Sequence, residues 1–264
     1  MHKPFRFATL AVACAVAGAA LYGAGAATAG QSTANSTHEP HNIGLLVQEI
    51  DSYYGTTADS AGVYQASATS PYAKDLARIE SAAKKDIDKA ARKALRKGKK
   101  PAVVFDVDDT LLLSLDYEKR TNYTYNSATW AEYVAKADRP AVFGTPELVA
   151  YAKAKGVEVF YNSGLKESQR AAAVANLKKV GADINLDAAH MFLKDAANPP
   201  AYLSACATPG TWTCTTVQYK SGTRKHIEDL GYDVIANFGD QYSDLEGGYA
   251  DKTYKLPNPT YFVS

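Results

Sequence analysis

Cysteine is scarce in this chain, three in 264 residues. One, Cys14, lies in the apolar start; the other two, Cys206 and Cys214, bound CATPGTWTC with no His or further Cys set nearby, which leaves no zinc site there. A pair split by Pro and Gly in an exported chain predicts a disulfide pinning a loop, with two free thiols as the alternative. Charge of one sign is also missing, with 29 basic residues against 28 acidic ones. That balance gives no case for a nucleic acid polymer as partner, and the basic run from Arg92 to Lys100 reads as the solvated end of a helix. Beyond the first 29 residues no apolar run approaches the about 20 residues of a membrane-spanning helix.

What is present begins with an export pattern. His2, Lys3 and Arg6 give a basic start, ATLAVACAVAGAALYGAGAA is apolar and small, and Ala27-Thr28-Ala29 is a small-residue cleavage pattern. Residues 1–29 are therefore read as a signal peptide and the protein as secreted, free of the membrane after cleavage. A membrane anchor is the rival reading; the small-residue exit and the polar tract QSTANSTHEPHN favour cleavage. Cys14 stands too early in the run, without a leucine three residues before it, for lipid attachment. Loss of this segment removes Lys3 and Arg6 and no acid, so the exported chain stays near neutral.

Residues 30–42 read as a flexible leader. Apolar spacing through Leu46, Val47 and Ile50 suggests a short helix over 43–53. Ser70 and Pro71 open a second, with Leu76, Ile79, Ala83, Ile87 and Ala90 on one face. The pattern then changes to short apolar runs: AVVFDV after Pro101, GVEVFYNS from Gly156, HMFL at 190–193 and DVIANF at 233–238. Helical stretches alternate with them, from Thr145 to Gly156, about Ser168 to Gly181, and Ser221 to Gly231. Such alternation predicts an α/β fold around a parallel sheet covered on both faces. The aromatic-rich segment from about 111 to 141 interrupts it and reads as a partly helical insertion.

Ligands in open α/β sheets gather beyond the carboxyl ends of the strands. Asp106 and Asp108 stand at the first such end, Asn162-Ser163-Gly164 at the second, and Gly239-Asp240 after the strand ending in Phe238. Carboxylates gathered in one place repel each other unless a cation sits among them, and an all-oxygen set selects Mg²⁺. A carboxylate can also act as a nucleophile that takes up a phosphoryl group, with Asp108 two residues on as acid and then base, and Ser163 and Lys220 holding the transferred oxygens.

At these residues the chain resembles the haloacid dehalogenase-like superfamily, and within it the secreted acid phosphatases, both the plant acid phosphatase and vegetative storage protein group and the bacterial class B and C enzymes. The motifs are FDVDDTLL at 105–112, VFYNSG at 159–164, YKSGTR at 219–224 and FGDQYSD at 238–244, supported by NYTYNSATWAEYV and the ending KLPNPTYFV. The resemblance implies a three-layer Rossmann-like parallel sheet with N-terminal helices and a small, mostly helical insertion, making 43–264 a catalytic domain. It implies a Mg²⁺-dependent phosphomonoester hydrolase with Asp106 as nucleophile, Asp108 as general acid and base, and Ser163 and Lys220 in the catalytic set. Thr110, Asn162 and Gly164 would lie on the substrate side. Asp106, the backbone carbonyl of Asp108, and Asp240 would hold the metal, with Asp244 behind or through water. Asp109 is expected to face away in a structural role.

One departure is Leu165 where many relatives carry the Arg of Thr-Gly-Arg. The loop 206–214 reads as a staple rather than an entrance feature. His190 is expected to be packed, His226 to face solvent, and Arg224 to orient a carboxylate behind the metal. Tyr117, Tyr123, Tyr125 and Trp130 either line the entrance or form the insertion's own core. A phosphotransferase to nucleoside or sugar hydroxyls, or a non-catalytic storage protein on the same fold, are the competing functions, and the partner expected is a small-molecule phosphomonoester.

Overall fold

The first helix among the described residues, α1 (Ile43–Tyr54), has one apolar stripe and buries Ile50 and Tyr54. The structure, a computed structural model, describes residues 40–264; the expected signal peptide and residues 30–39 of the leader lie outside them. A small antiparallel ribbon follows, β1 (Thr57–Ala58) with β2 (Tyr64–Gln65). Helix α2 (Pro71–Arg96) is capped by Ser70, whose side chain accepts from the Ala73 amide, and Pro71 fits the first turn, where its missing N–H costs nothing. Leu76, Ala83, Ile87, Ala91 and Ala94 make up its buried face.

Strand β3 (Lys100–Phe105) enters the core directly after the exposed end of α2. Helices α3 (Leu115–Arg120) and α4 (Ser127–Ala135) occupy the interrupting segment. Its two ends are zipped together: the Leu113 amide donates to the Pro140 carbonyl and the Val142 amide to the Leu111 carbonyl. The alternation then resumes with α5 (Thr145–Ala154), β4 (Glu158–Lys166), α6 (Arg170–Lys179) and β5 (Met191–Lys194). A ribbon of β6 (Ala207–Thr208) and β7 (Thr211–Trp212) precedes α7 (Thr216–Asp229), β8 (Tyr232–Gly239), α8 (Tyr242–Leu245) and β9 (Thr253–Lys255).

The main sheet is parallel throughout, in the order β5-β4-β3-β8-β9. Its two faces are covered separately, as the continuous apolar runs require. Val103 and Phe105 join Leu76 and Ile87 of α2 and Leu148 of α5, while Ala102 and Val104 join Ile227 of α7. Phe105, Phe238 and Tyr254 stack across three neighbouring strands, with ring centroids 4.5 and 4.7 Å apart. Chain connections leave β3 toward β4 on one side and return to β8 on the other, so the crevice at the end of β3 is the switch point of the sheet. Among the described residues no helix is long and apolar enough to cross a membrane.

Two boundaries differ from the sequence reading. Helix α7 starts at Thr216, five residues before Ser221, because Thr215 and Gln218 form a capping box that satisfies its first amides. Lys220 thus stands inside the helix. Strand β9 has three residues, too few to carry a period, and is held by its ladder to β8.

Candidate active site

Strand β3 ends at Phe105, and its ladder continues one residue further where the Asp106 amide donates to the Phe238 carbonyl at 2.9 Å. The chain then turns tightly. Asp109 has φ of 52°, and the Leu111 and Leu112 amides both donate to the Val107 carbonyl. The Asp109 carboxylate is buried and accepts from the Ser114 amide at 2.9 Å and from the Ser114 hydroxyl. It holds the loop together, in keeping with a structural role; burial raises its pKa, although bonds from Ser114 and Tyr261 oppose the shift.

Lys220 is the hub of the site. Its ammonium, 2% exposed, donates to Asp106 Oδ1 and to the Asn162 carbonyl, and lies 3.0 Å from Asp244 Oδ1. One side chain on α7 thereby joins the end of β3, the middle of β4 and the first turn of α8. Asn162, Ser163 and Gly164 lie inside β4, which runs on to Lys166, and not at its end as the sequence suggested, although its ladder with β3 stops at Tyr161. Burial alone would lower its pKa, but Asp106 and Asp244 more than offset this and hold it above its ordinary range.

Asp106, Asp240 and Asp244 bring one carboxylate oxygen each to within 4.8 Å of one another. Burial first, then mutual repulsion, raises Asp106 well above the usual carboxylate range in spite of Lys220. Burial, Asp244 and Asp109 push Asp240 up to about 7. Three buried carboxylates share one ammonium, so negative charge is in excess. The oxygen-only donor set and the charge deficit suit a hard divalent cation such as Mg²⁺. Close approach of Asp244 depends on Gly239: a Cβ there would stand 2.5 Å from the Asp244 Cβ.

Asp108 stands outside that cluster. Its carboxylate accepts from Arg139 Nη1 at 2.6 Å and is 17% exposed, which makes it more open than Asp106 or Asp244. Arg139 is buried over the Trp130 ring, and both its amide and its carbonyl are clamped by the Asn176 side chain.

The second motif is partly turned inward. Ser163 is fully buried; its Oγ accepts from the Leu165 amide at 3.1 Å and its carbonyl accepts from Tyr219. Asn162 Nδ2 donates to the Lys220 carbonyl at 3.0 Å, tying β4 to α7, while Gly164 is exposed. Thr110 is buried, its hydroxyl 3.5 Å from Asp240 Oδ1.

Two expectations are corrected. Arg224 orients no carboxylate: it donates to the carbonyls of Asp244, Glu246 and Gly248. The chain leaves α8 through Gly247 and Gly248, both at positive φ, and so presents carbonyls with no helical partner. His226 is half-buried rather than solvent-facing, because the turn Ala201–Leu203 lays the Tyr202 ring against it at 4.4 Å. His190 is packed as expected, stacked on Phe160 and bonded to Asp187.

The aromatic question divides. Tyr117, Trp130 and Tyr133 pack as the insertion's own core, with centroids 5.0 to 5.9 Å apart, whereas Tyr125 is 65% exposed. Tyr123 is half-buried and lies 6.0 Å from the Lys119 ammonium. Cys206 and Cys214 form the expected disulfide. Missed in the sequence were Arg139, Gln241 and Asn258. A lone Arg before a Pro carries no signal, although KLPNP does mark a fixed turn.

The profile of a family described as HAD superfamily, subfamily IIIB (acid phosphatase), matches residues 27–264. The chain is 32% identical over 169 residues to the stem 28 kDa glycoprotein of Glycine max, covering 62% of this chain and 61% of that protein. It is 29% identical over 164 residues to acid phosphatase 1 of Solanum lycopersicum, covering 61% and 58%. It therefore spans roughly three-fifths of the length of the curated relatives it matches. The class C acid phosphatase of Bacillus anthracis with tungstate bound shares the fold, with a TM-score of 0.53 at 23% identity over 70% of this chain and 78% of that one.

Proposed function

The chain belongs to subfamily IIIB of the HAD superfamily, the acid phosphatases, and from that membership we propose that it hydrolyses phosphomonoesters through an aspartyl phosphate on Asp106. The observation that carries the reading is the junction at Lys220, which fixes Asp106 Oδ1 and leaves the second oxygen to attack. As the bond from that oxygen to phosphorus forms, the ester P–O bond breaks, and Asp108 gives its proton to the departing alkoxide. Asp108 then takes a proton from water, whose oxygen attacks phosphorus and releases inorganic phosphate with Asp106 restored.

Arg139 holds Asp108 Oδ1, which fixes the direction in which the other oxygen points. The Ser163 hydroxyl accepts from Leu165 and keeps its proton to donate to a phosphoryl oxygen. Mg²⁺, held by Asp106, the Asp108 carbonyl and Asp240 with Asp244 behind, would supply neutralisation of charge on the transferring group. Asp108 is the more open carboxylate, which favours a small monoester approaching from its side.

Residues 43–264 act in this reading as the catalytic unit with 111–141 inserted beside the site, and the pattern at 1–29 supports export. The test is release of phosphate from an aryl phosphate with Mg²⁺ added or chelated, on the wild type and on Asp106→Asn. Turnover in the variant is expected to fall by at least about 10³-fold, with no acid-stable phosphoenzyme. Hydrolysis by D106N near the wild-type rate overturns the mechanism, and an inactive wild type returns the chain to the storage reading.

A further inference from the structure

The last turn of the chain reaches back to the carboxylate cluster. Asp240 Oδ2 accepts two hydrogen bonds of 2.7 Å, from Gln241 Nε2 and from Asn258 Nδ2. Each amide has its other end fixed by the tail that follows β9. The Val263 amide donates to Gln241 Oε1 at 3.1 Å, and the Thr260 amide and hydroxyl donate to Asn258 Oδ1 at 2.9 and 2.6 Å. These partners decide which way each amide faces. Gln241 Nε2 also reaches the Tyr261 carbonyl at 3.4 Å, and the Ser243 hydroxyl donates to the Val263 carbonyl at 2.8 Å.

Within this end Phe262 is 80% exposed and Val263 39%, while Thr260 is buried and the Tyr261 side chain turns inward to bond Asp109. Two oriented donors occupy both lone-pair positions of Asp240 Oδ2. Their joint effect is directional: with Oδ2 engaged from behind, Oδ1 is the oxygen left for the cluster with Asp106 and Asp244, where Thr110 makes a long contact of 3.5 Å.

We propose that the C-terminal segment 258–263, through Asn258 and Gln241, is a positioning element that presents Asp240 Oδ1 to a divalent cation and so sets the affinity of the site for that cation. The inference rests on the metal reading above. Partners behind a metal ligand typically change affinity about 10- to 100-fold when removed, and two donors acting on one oxygen should not add independently.

The experiment is calorimetric titration of the full chain with Mg²⁺, with Mn²⁺ binding followed by electron paramagnetic resonance, on the wild type and on Asn258→Leu, Gln241→Met, the double variant and Thr260→Val. N258L and Q241M are each expected to weaken binding about 10-fold or more, and the double variant by less than the product of the two. T260V, which keeps Asn258 and the bond from the backbone amide of residue 260 but removes the hydroxyl bond to Asn258 Oδ1, shifts affinity in the same direction by less and serves if N258L does not fold. Affinities within twofold of wild type in folded N258L and Q241M overturn the positioning role. A folded wild type that takes up neither ion removes the metal reading itself, and this role with it.

Discussion

Arg139 brings to the site a guanidinium that the last residues of β4 do not provide. Where many relatives resembling this chain carry Arg, Leu165 is 2% exposed and belongs to the core. The cation beside Asp108 comes from the far end of the insertion, placed by the two-way clamp of Asn176 on its backbone. Glu118, on α3 in that same insertion, is a different kind of residue. Burial, with Asp109 adding to it, pushes its carboxyl up to about 8. A carboxyl raised in the folded state contributes stability that is present below its unfolded pKa and is lost as pH rises through the folded value. Asp240, at about 7, acts in the same direction. Metal-free protein should therefore lose stability between about pH 5 and pH 8. Glu118→Gln should flatten the upper part of that fall, read from urea midpoints at each pH; an unchanged slope in E118Q means its carboxyl is not neutral in the fold.

At the scale of elements, the capping box of Thr215 and Gln218 fixes where α7 begins and so includes Lys220 in the helix, from which its ammonium donates to Asp106. The ribbon of β6 and β7 just before it is closed by the disulfide and packs Leu203, Ala207, Cys214 and Tyr219 into a cluster of its own. That cluster lies behind Ser163, whose carbonyl accepts from Tyr219, so the loop supports the site without entering it. Cys206→Ser with Cys214→Ser should cost about 2–3 kcal/mol from the lost closure of a short loop, measured by denaturant unfolding. The kcat on an aryl phosphate should stay within about threefold, a change well under 1 kcal/mol in the barrier. A large fall in kcat with intact stability would move this loop from support to substrate contact.

For the molecule as a whole, the site is where three stretches far apart in the chain meet under the end of a fourth: β3, β4 with α7, and β8 with α8, closed by the C-terminal tail. Its charge is unbalanced in a buried setting, so a bound cation should stabilise the entire fold. Mg²⁺ at about 100 times its dissociation constant should raise the unfolding free energy by about 2.7 kcal/mol, and chelation should reverse it. Thermal melts with Mg²⁺ and with EDTA check this directly; coincident melts would leave the carboxylate cluster without its cation.

The sequence alone determined the alternation of buried strands and helices, because a strand covered on both faces must be apolar throughout and a helix packed on one side must repeat its apolar residues at its own period. It also pointed to Asp106, Asp108, Ser163, Lys220 and Asp240 as candidates, since each lies in a motif with fixed local chemistry. Tertiary structure decided the rest. Arg139 on Asp108, Asn162 on the α7 backbone, Arg224 on three carbonyls, and Asn258 on Asp240 are single contacts between segments 18 to 58 residues apart. Such contacts leave no period or spacing in the chain. They depend on the sheet order and on where each loop ends, which exist only once the whole chain has folded.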